Sequence, residues 1–189
     1  TKAIYSFLKK KIKRKIKFVD NLLPQRNIKV DKKKSLNIII SKSGNTLETI
    51  LNSSLLISKN QKNIFITENR KSSLMDLANK MKSEVIEHNN FIGGRYSVLS
   101  EVGMLPSSLL GLNEKKFKQF NYLIKNKNFI NNLITNVASI LFFIKKKKFN
   151  STIINYDEDS KNLFKWYQQL VAESLGKKEK GVFPTISSM

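Results

Sequence analysis

Cysteine is absent from the 189 residues, and histidine and tryptophan occur once each. Without cysteine there is neither a disulfide framework nor a thiolate metal site. A single histidine, His88, gives no basis for a histidine-rich metal centre, so no metal site is expected. No run of about 18 apolar residues exists, so no membrane-spanning helix is expected. The longest apolar run, Ile140 to Ile144, is too short and ends in four lysines. The stretch TKAIYSFLKKK has no charged region followed by an apolar one, so it does not read as a signal peptide. It also carries no initiator methionine, and the chain reads as an internal fragment of something longer.

Acidic residues are scarce as well. Fourteen stand against 35 basic ones, for a net charge of +21. Such a balance raises nucleic acid as a partner. Only four of the basic residues are arginines, however: Arg14, Arg26, Arg70 and Arg95. Base-edge and phosphate recognition lean heavily on arginine. The lysines are accompanied by many asparagines and isoleucines, all with A/T-rich codons, so genome composition accounts for much of the excess. Nucleic acid is therefore not the expected partner, although the field attracts small anions in general.

Hydrophobic residues make up 40% of the chain, enough for a real core. Apolar spacing changes period along it. Ile4, Phe7, Leu8 and Ile12 have helical spacing, and residues 15–21 read as a short strand. LNIIIS (36–41) and NIFIT (63–67) are continuous apolar runs, as in strands buried on both faces. Between them, 46–58 is helical at Leu47, Ile50, Leu51 and Leu55. Residues 72–81 predict a helix capped by Ser72 or Ser73, and 83–88 a further strand. This alternation is the signature of an α/β fold, a parallel sheet sandwiched between helices. After Gly94 it stops: two short apolar turns are split by Pro106, and 114–147 is mostly helical. A strand at 150–157 and a helix at 159–176, capped near Asp159 or Ser160 and ended by Gly176, restart it. The expected division is a first α/β domain at 1–112, connecting helices at 113–148 and the beginning of a second α/β domain at 149–189.

In an open parallel sheet, ligands bind beyond the carboxyl ends of the strands. SKSGNT (41–46) stands at such an end, directly before a helix whose first N–H groups lack internal partners. Ser41, Ser43 and Thr46 add hydroxyls, and Gly44 allows a close turn. A phosphate monoester suits this loop. The glycine patterns of nucleotide-binding loops are absent, which favours a smaller phosphorylated ligand. GGRYS (93–97) follows the strand at 83–88, where two glycines permit close backbone approach and Arg95 carries a permanent planar charge. Gln169 and Glu173, four apart, share a helix face. By themselves they read as a solvated face. His88 reads as a strand-end or loop residue, Tyr96 and Trp166 as packing, and Glu48 as a complement to the helix dipole. Lys145–Lys148 read as a solvated helix end.

Together these stretches resemble the glucose-6-phosphate isomerase family, which has two sugar-isomerase (SIS) domains, each a three-layer αβα sandwich around a parallel sheet. SKSGNTLET (41–49) is similar to the family's sugar-phosphate loop. GGRYSVLSEVGMLP (93–106) is similar to its arginine segment, and WYQQLVAESLGK (166–177) to the segment of its catalytic glutamate. The resemblance covers essentially the whole chain. It implies that Ser41, Lys42, Ser43 and Thr46 bind the sugar phosphate. Gly94 and Arg95 would lie by the reacting carbons, Gln169 would contact substrate, and Glu173 would be the base acting through a cis-enediol. It further implies interconversion of glucose 6-phosphate and fructose 6-phosphate, no cofactor, a homodimer and a cytoplasmic location. The alternative is a non-catalytic SIS module that senses a sugar phosphate. The family's glycine-serine loop is expected before Thr1, and its ring-opening histidine and C-terminal lysine downstream of Glu173. The 189 residues alone are therefore expected to be inactive.

Overall fold

The computed structural model describes residues 1–22, 31, 34–176 and 181–188. In chain order these form α1 (Lys2–Phe7), β1 (Leu36–Ile40), α2 (Leu47–Leu56), β2 (Lys62–Thr67), α3 (Ser73–Lys80), β3 (Glu84–Glu87), α4 (Glu101–Leu109), α5 (Asn121–Lys125), α6 (Lys127–Lys145), β4 (Asn150–Asn155), α7 (Lys161–Leu175) and β5 (Phe183–Ser188), with short 3₁₀ turns between. They fall into two compact units, one of Lys15–Pro106 and one of Thr1–Arg14 with Ser107–Met189.

The unit Lys15–Pro106 is built on a parallel sheet in the order β1-β2-β3. Ile38 stands opposite Ile64, and Ile64 opposite Glu84. The middle strand is the most buried, as its two flanking strands require: Phe65, Ile66 and Thr67 are wholly buried. Leu74 and Ala78, one helical turn apart on α3, join Ile39 and Phe65 to form the core. Ile57, Leu77, Met81 and Val85 pack around it. Ser72 caps α3 by accepting the Met75 N–H, as its place before the helix predicts. Truncating Phe65 to alanine is expected to cost about 3–5 kcal/mol, through lost burial and the cavity left behind. The urea midpoint of this unit measures it.

Two local expectations fail here. Residues 15–21 form no strand; they run irregularly, with alternate lysines exposed. A strand needs a ladder partner, and no described strand pairs with them. Pro106 does not split the chain into separate turns but lies inside α4. At the sixth position it removes one intrahelical bond, to the Val102 carbonyl, while its ring is buried. That burial offsets part of the loss.

In the other unit β4 and β5 pair in parallel, Asn150 opposite Phe183 and Asn155 opposite Ser188. The crossover helix α7 packs on β5 and on α1. Its start is shaped by an Asn–Asp turn. The Asn155 amide donates to the Asp157 carbonyl at 2.9 Å, and the Asp157 carboxylate accepts from the Asp159 N–H and the Ser160 hydroxyl. The Ser160 hydroxyl, foremost among these contacts, holds the Asp157 carboxyl below the usual carboxylate range. α6 buries none of its residues and exposes Leu133, Ile134, Val137 and Leu141. The lysines that follow it are exposed, with Lys146 and Lys148 lying over the rings of Phe142 and Phe143. The observed class is the expected one, α/β with parallel sheets and crossover helices.

Candidate functional site

β1 ends at Ile40, and the chain leaves the sheet through Ser41, whose N–H still donates to the Ile66 carbonyl at 3.1 Å. The loop then turns back on itself. Gly44 donates its N–H to the Ser41 hydroxyl at 3.2 Å, and the Ser41 and Thr46 hydroxyls lie 2.8 Å apart. The Ser43 hydroxyl accepts the Asn45 N–H at 3.2 Å. Thr46 is the N-cap residue of α2, yet its side chain makes no capping bond. The first N–H groups of α2 therefore keep donor capacity, and the helix dipole favours an anion there. Glu48 stands in that first turn, where a carboxylate complements the same dipole.

The loop is seated on the ends of β2 and α3. The Lys42 carbonyl accepts from the Glu68 N–H at 3.1 Å and from the Thr67 hydroxyl at 3.3 Å. Asn45 accepts the Ser73 N–H at 3.0 Å, and the Leu74 N–H reaches the Gly44 carbonyl. Gly44 has φ +67°, and a Cβ there would lie 2.2 Å from the Ser72 hydroxyl oxygen. Both the backbone conformation and the space require glycine. Gly44→Ala is expected to cost about 1–3 kcal/mol and to weaken anion binding by the loop. Thermal unfolding with and without inorganic phosphate reads both effects.

Two charged residues beneath the loop carry no motif. Glu68, nearly buried, pairs with Arg70 at 2.9 Å and with Lys42 at 3.6 Å. Arg70 also reaches the Ser43 carbonyl at 3.4 Å. Their signal in the sequence is positional only: ENR (68–70) directly follows β2, at the same sheet edge as the loop.

The second segment follows β3. Gly94 opens a 3₁₀ turn through Leu99, closed by the Ser97 hydroxyl donating to the Gly94 carbonyl at 2.6 Å. Gly94 is exposed, with no described atom within 4 Å of where a Cβ would stand, so a ligand can approach the backbone. The Arg95 guanidinium lies 5.2 Å from the centre of the Tyr96 ring. Tyr96 is 54% exposed, so it is a platform for the cation rather than the packing residue expected. Lys42 joins the two segments. Its Nζ donates to the Asn90 carbonyl at 3.1 Å and the Ile92 carbonyl at 2.8 Å. Ser41, Lys42, Ser43, Thr46, Gly94 and Arg95 thus share one compact unit.

Gln169 and Glu173 belong to the other unit, on the exposed face of α7. The Gln169 amide donates to the Glu173 carboxylate at 2.9 Å. One turn of helix separates them, so the amide meets the carboxylate along one face of α7. The neighbouring Gln168 points elsewhere and donates to the Pro184 carbonyl. Lys177, at the end of WYQQLVAESLGK, and Met189, at the end of the expected second domain, lie outside the described residues. Among the described residues no group of three or more acidic or histidine side chains could hold a metal ion. None of their helices is long and apolar enough to cross a membrane.

A crystal structure of a hypothetical protein from Thermus thermophilus shares the fold. It superposes with a TM-score of 0.71 at 22% identity, over 90% of this chain and 46% of that one. Among curated proteins, the glucose-6-phosphate isomerase of Methanocaldococcus jannaschii is 35% identical, over 90% of this chain and 46% of its own length. The enzyme of the same name from Mycoplasmopsis pulmonis is 33% identical, over 82% of this chain and 40% of its own. The chain thus spans less than half the length of these relatives. A family model described as phosphoglucose isomerase matches residues 2–184. With that match running through the Ser41 loop, the Arg95 segment and the Glu173 helix alike, the chain belongs to the phosphoglucose isomerase family.

Proposed function

We propose that the protein containing this chain interconverts glucose 6-phosphate and fructose 6-phosphate. The observation that carries the reading is the hydroxyl-lined loop Ser41–Thr46 at the end of β1, opening α2, in a chain of this family. The substrate phosphate sits on that loop, bound by the hydroxyls of Ser41, Ser43 and Thr46, the Lys42 backbone and the uncapped start of α2. Gln169 contacts the sugar. Glu173 removes the proton alpha to the carbonyl of the open-chain sugar and returns it to the adjacent carbon, the same carboxylate serving as base and then acid. The negative charge on the cis-enediolate is stabilised by Arg95 and the backbone at Gly94. No cofactor takes part. The proposed plan is an SIS domain at 1–112, connecting helices at 113–148 and the beginning of a second SIS domain at 149–189, in a cytoplasmic homodimer. By the same reading the 189 residues alone do not turn over, since the family's ring-opening histidine and C-terminal lysine are not among them.

The test is to supply fructose 6-phosphate to the complete polypeptide, purified free of host isomerase, and to follow glucose 6-phosphate. Steady formation is the expected result. Binding of the sugar phosphate without conversion would instead mark a sensor module.

A further inference from the structure

We propose that His88 and Glu101 form a clasp that positions the segment bearing Arg95, a role that rests on the isomerase reading of that arginine. His88 is the first residue after β3 and is 1% exposed. Its N–H donates to the Thr67 carbonyl at 2.8 Å, so its backbone is an extension of the sheet. Glu101 is the first residue of α4, where the helix dipole favours its carboxylate. His88 Nδ1 is hydrogen-bonded to Glu101 Oε1, across 13 positions of sequence. A carboxylate only accepts, so Nδ1 carries the hydrogen. The bond joins the two ends of the segment that holds Gly94 and Arg95.

Bonds within that segment give it shape. The Ile92 N–H reaches the Asn89 carbonyl, the Tyr96 N–H the Gly93 carbonyl, and the Ser100 N–H the Ser97 carbonyl. None of these sets its place relative to the sheet. Placement comes from contacts to other elements: Lys42 on the Asn90 and Ile92 carbonyls, the Gly103 backbone against the Val98 carbonyl, and the His88–Glu101 bond. Of these the last alone fixes both ends to each other.

The second imidazole nitrogen argues for the same role. Nε2 is buried and has no partner among the described residues. Leaving a buried polar atom unsatisfied is unfavourable. An apolar side chain would fill the same space without that cost. What the imidazole adds here is the bond to Glu101. A shift of about 1 Å in a group that must meet a developing charge is enough to cost about 10²-fold in rate.

The experiment compares the complete polypeptide with its Glu101→Ala, Glu101→Gln and His88→Leu variants. It reads kcat and KM for fructose 6-phosphate and amide hydrogen exchange along the chain. Glu101→Ala and His88→Leu, the latter keeping the buried volume, should each lower kcat at least about tenfold with KM nearly unchanged. Exchange should rise across residues 89–100 while β1 and β2 stay protected. Glu101→Gln retains a carbonyl oxygen for the Nδ1 hydrogen and should recover most of kcat. Unchanged kcat and unchanged local exchange in the first two variants would overturn the proposal. So would equal losses in all three that merely follow a lower melting temperature. Should the parent itself fail to isomerise, the reading of Arg95 falls, and the exchange comparison still decides whether the clasp exists.

Discussion

Glu173→Gln in the complete polypeptide is expected to lower kcat for sugar-phosphate isomerisation by about 10²–10⁴-fold, the usual contribution of a general base. At 1.36 kcal/mol per decade this is about 3–5 kcal/mol of transition-state stabilisation. The substitution is nearly isosteric. Its carbonyl oxygen can still accept the Gln169 amide now bonded to Oε1 at 2.9 Å, so the face of α7 keeps its arrangement. Glu173 is exposed, and the change opens no cavity. KM should stay near the parent value, because the phosphate loop belongs to a different stretch of chain and is untouched. Steady-state kinetics, with melting temperature as the control for folding, checks it. A loss of less than about tenfold would contradict the assignment of Glu173 as the base.

Arg95→Lys is expected to lower kcat by about 10²–10³-fold, the typical effect of removing one donor from an oxyanion site. The charge survives, but the planar fork does not. The guanidinium now sits 5.2 Å from the centre of the Tyr96 ring, a platform that a flexible ammonium uses poorly. The effect should fall on kcat, since enediolate charge develops only after binding. A variant within about threefold of the parent would show that Arg95 neutralises the ground-state phosphate or nothing at all.

The central strands could be read directly because strands buried on both faces announce themselves as unbroken apolar runs. NIFIT became β2, and the Ser72 cap and the Leu74–Ala78 spacing became α3. What escaped was whatever depends on partners distant in sequence. Residues 15–21 have strand-like composition but no ladder to join. β5 escaped for the opposite reason: FPTISS, with a proline and few apolar residues, is a strand because Ile153 and Ile186 fall opposite each other 33 positions apart. Pro106 reads as a breaker locally and is carried inside α4 by burial. At the candidate site the motif residues were visible as types, three hydroxyls with a glycine and an arginine after two glycines. Their arrangement was not. No spacing rule shows that Ser41 and Thr46 bond each other or that the Lys42 side chain reaches the next loop. Glu68, Arg70 and the His88–Glu101 bond were missed for the same reason. The contacts of Glu68 with Lys42 and of Arg70 with Ser43, like the bond from His88 to Glu101, join chain segments that no short window of sequence spans.

The most direct test follows the proton that the proposed chemistry moves. The complete polypeptide, incubated with glucose 6-phosphate in deuterium oxide, should form fructose 6-phosphate and place deuterium at C2 of the recovered glucose 6-phosphate. The Glu173→Gln variant should lose conversion and deuterium incorporation by the same factor. Failure of the parent to convert the sugar, or a Glu173→Gln variant that converts and exchanges at the parent's rate, would contradict the account.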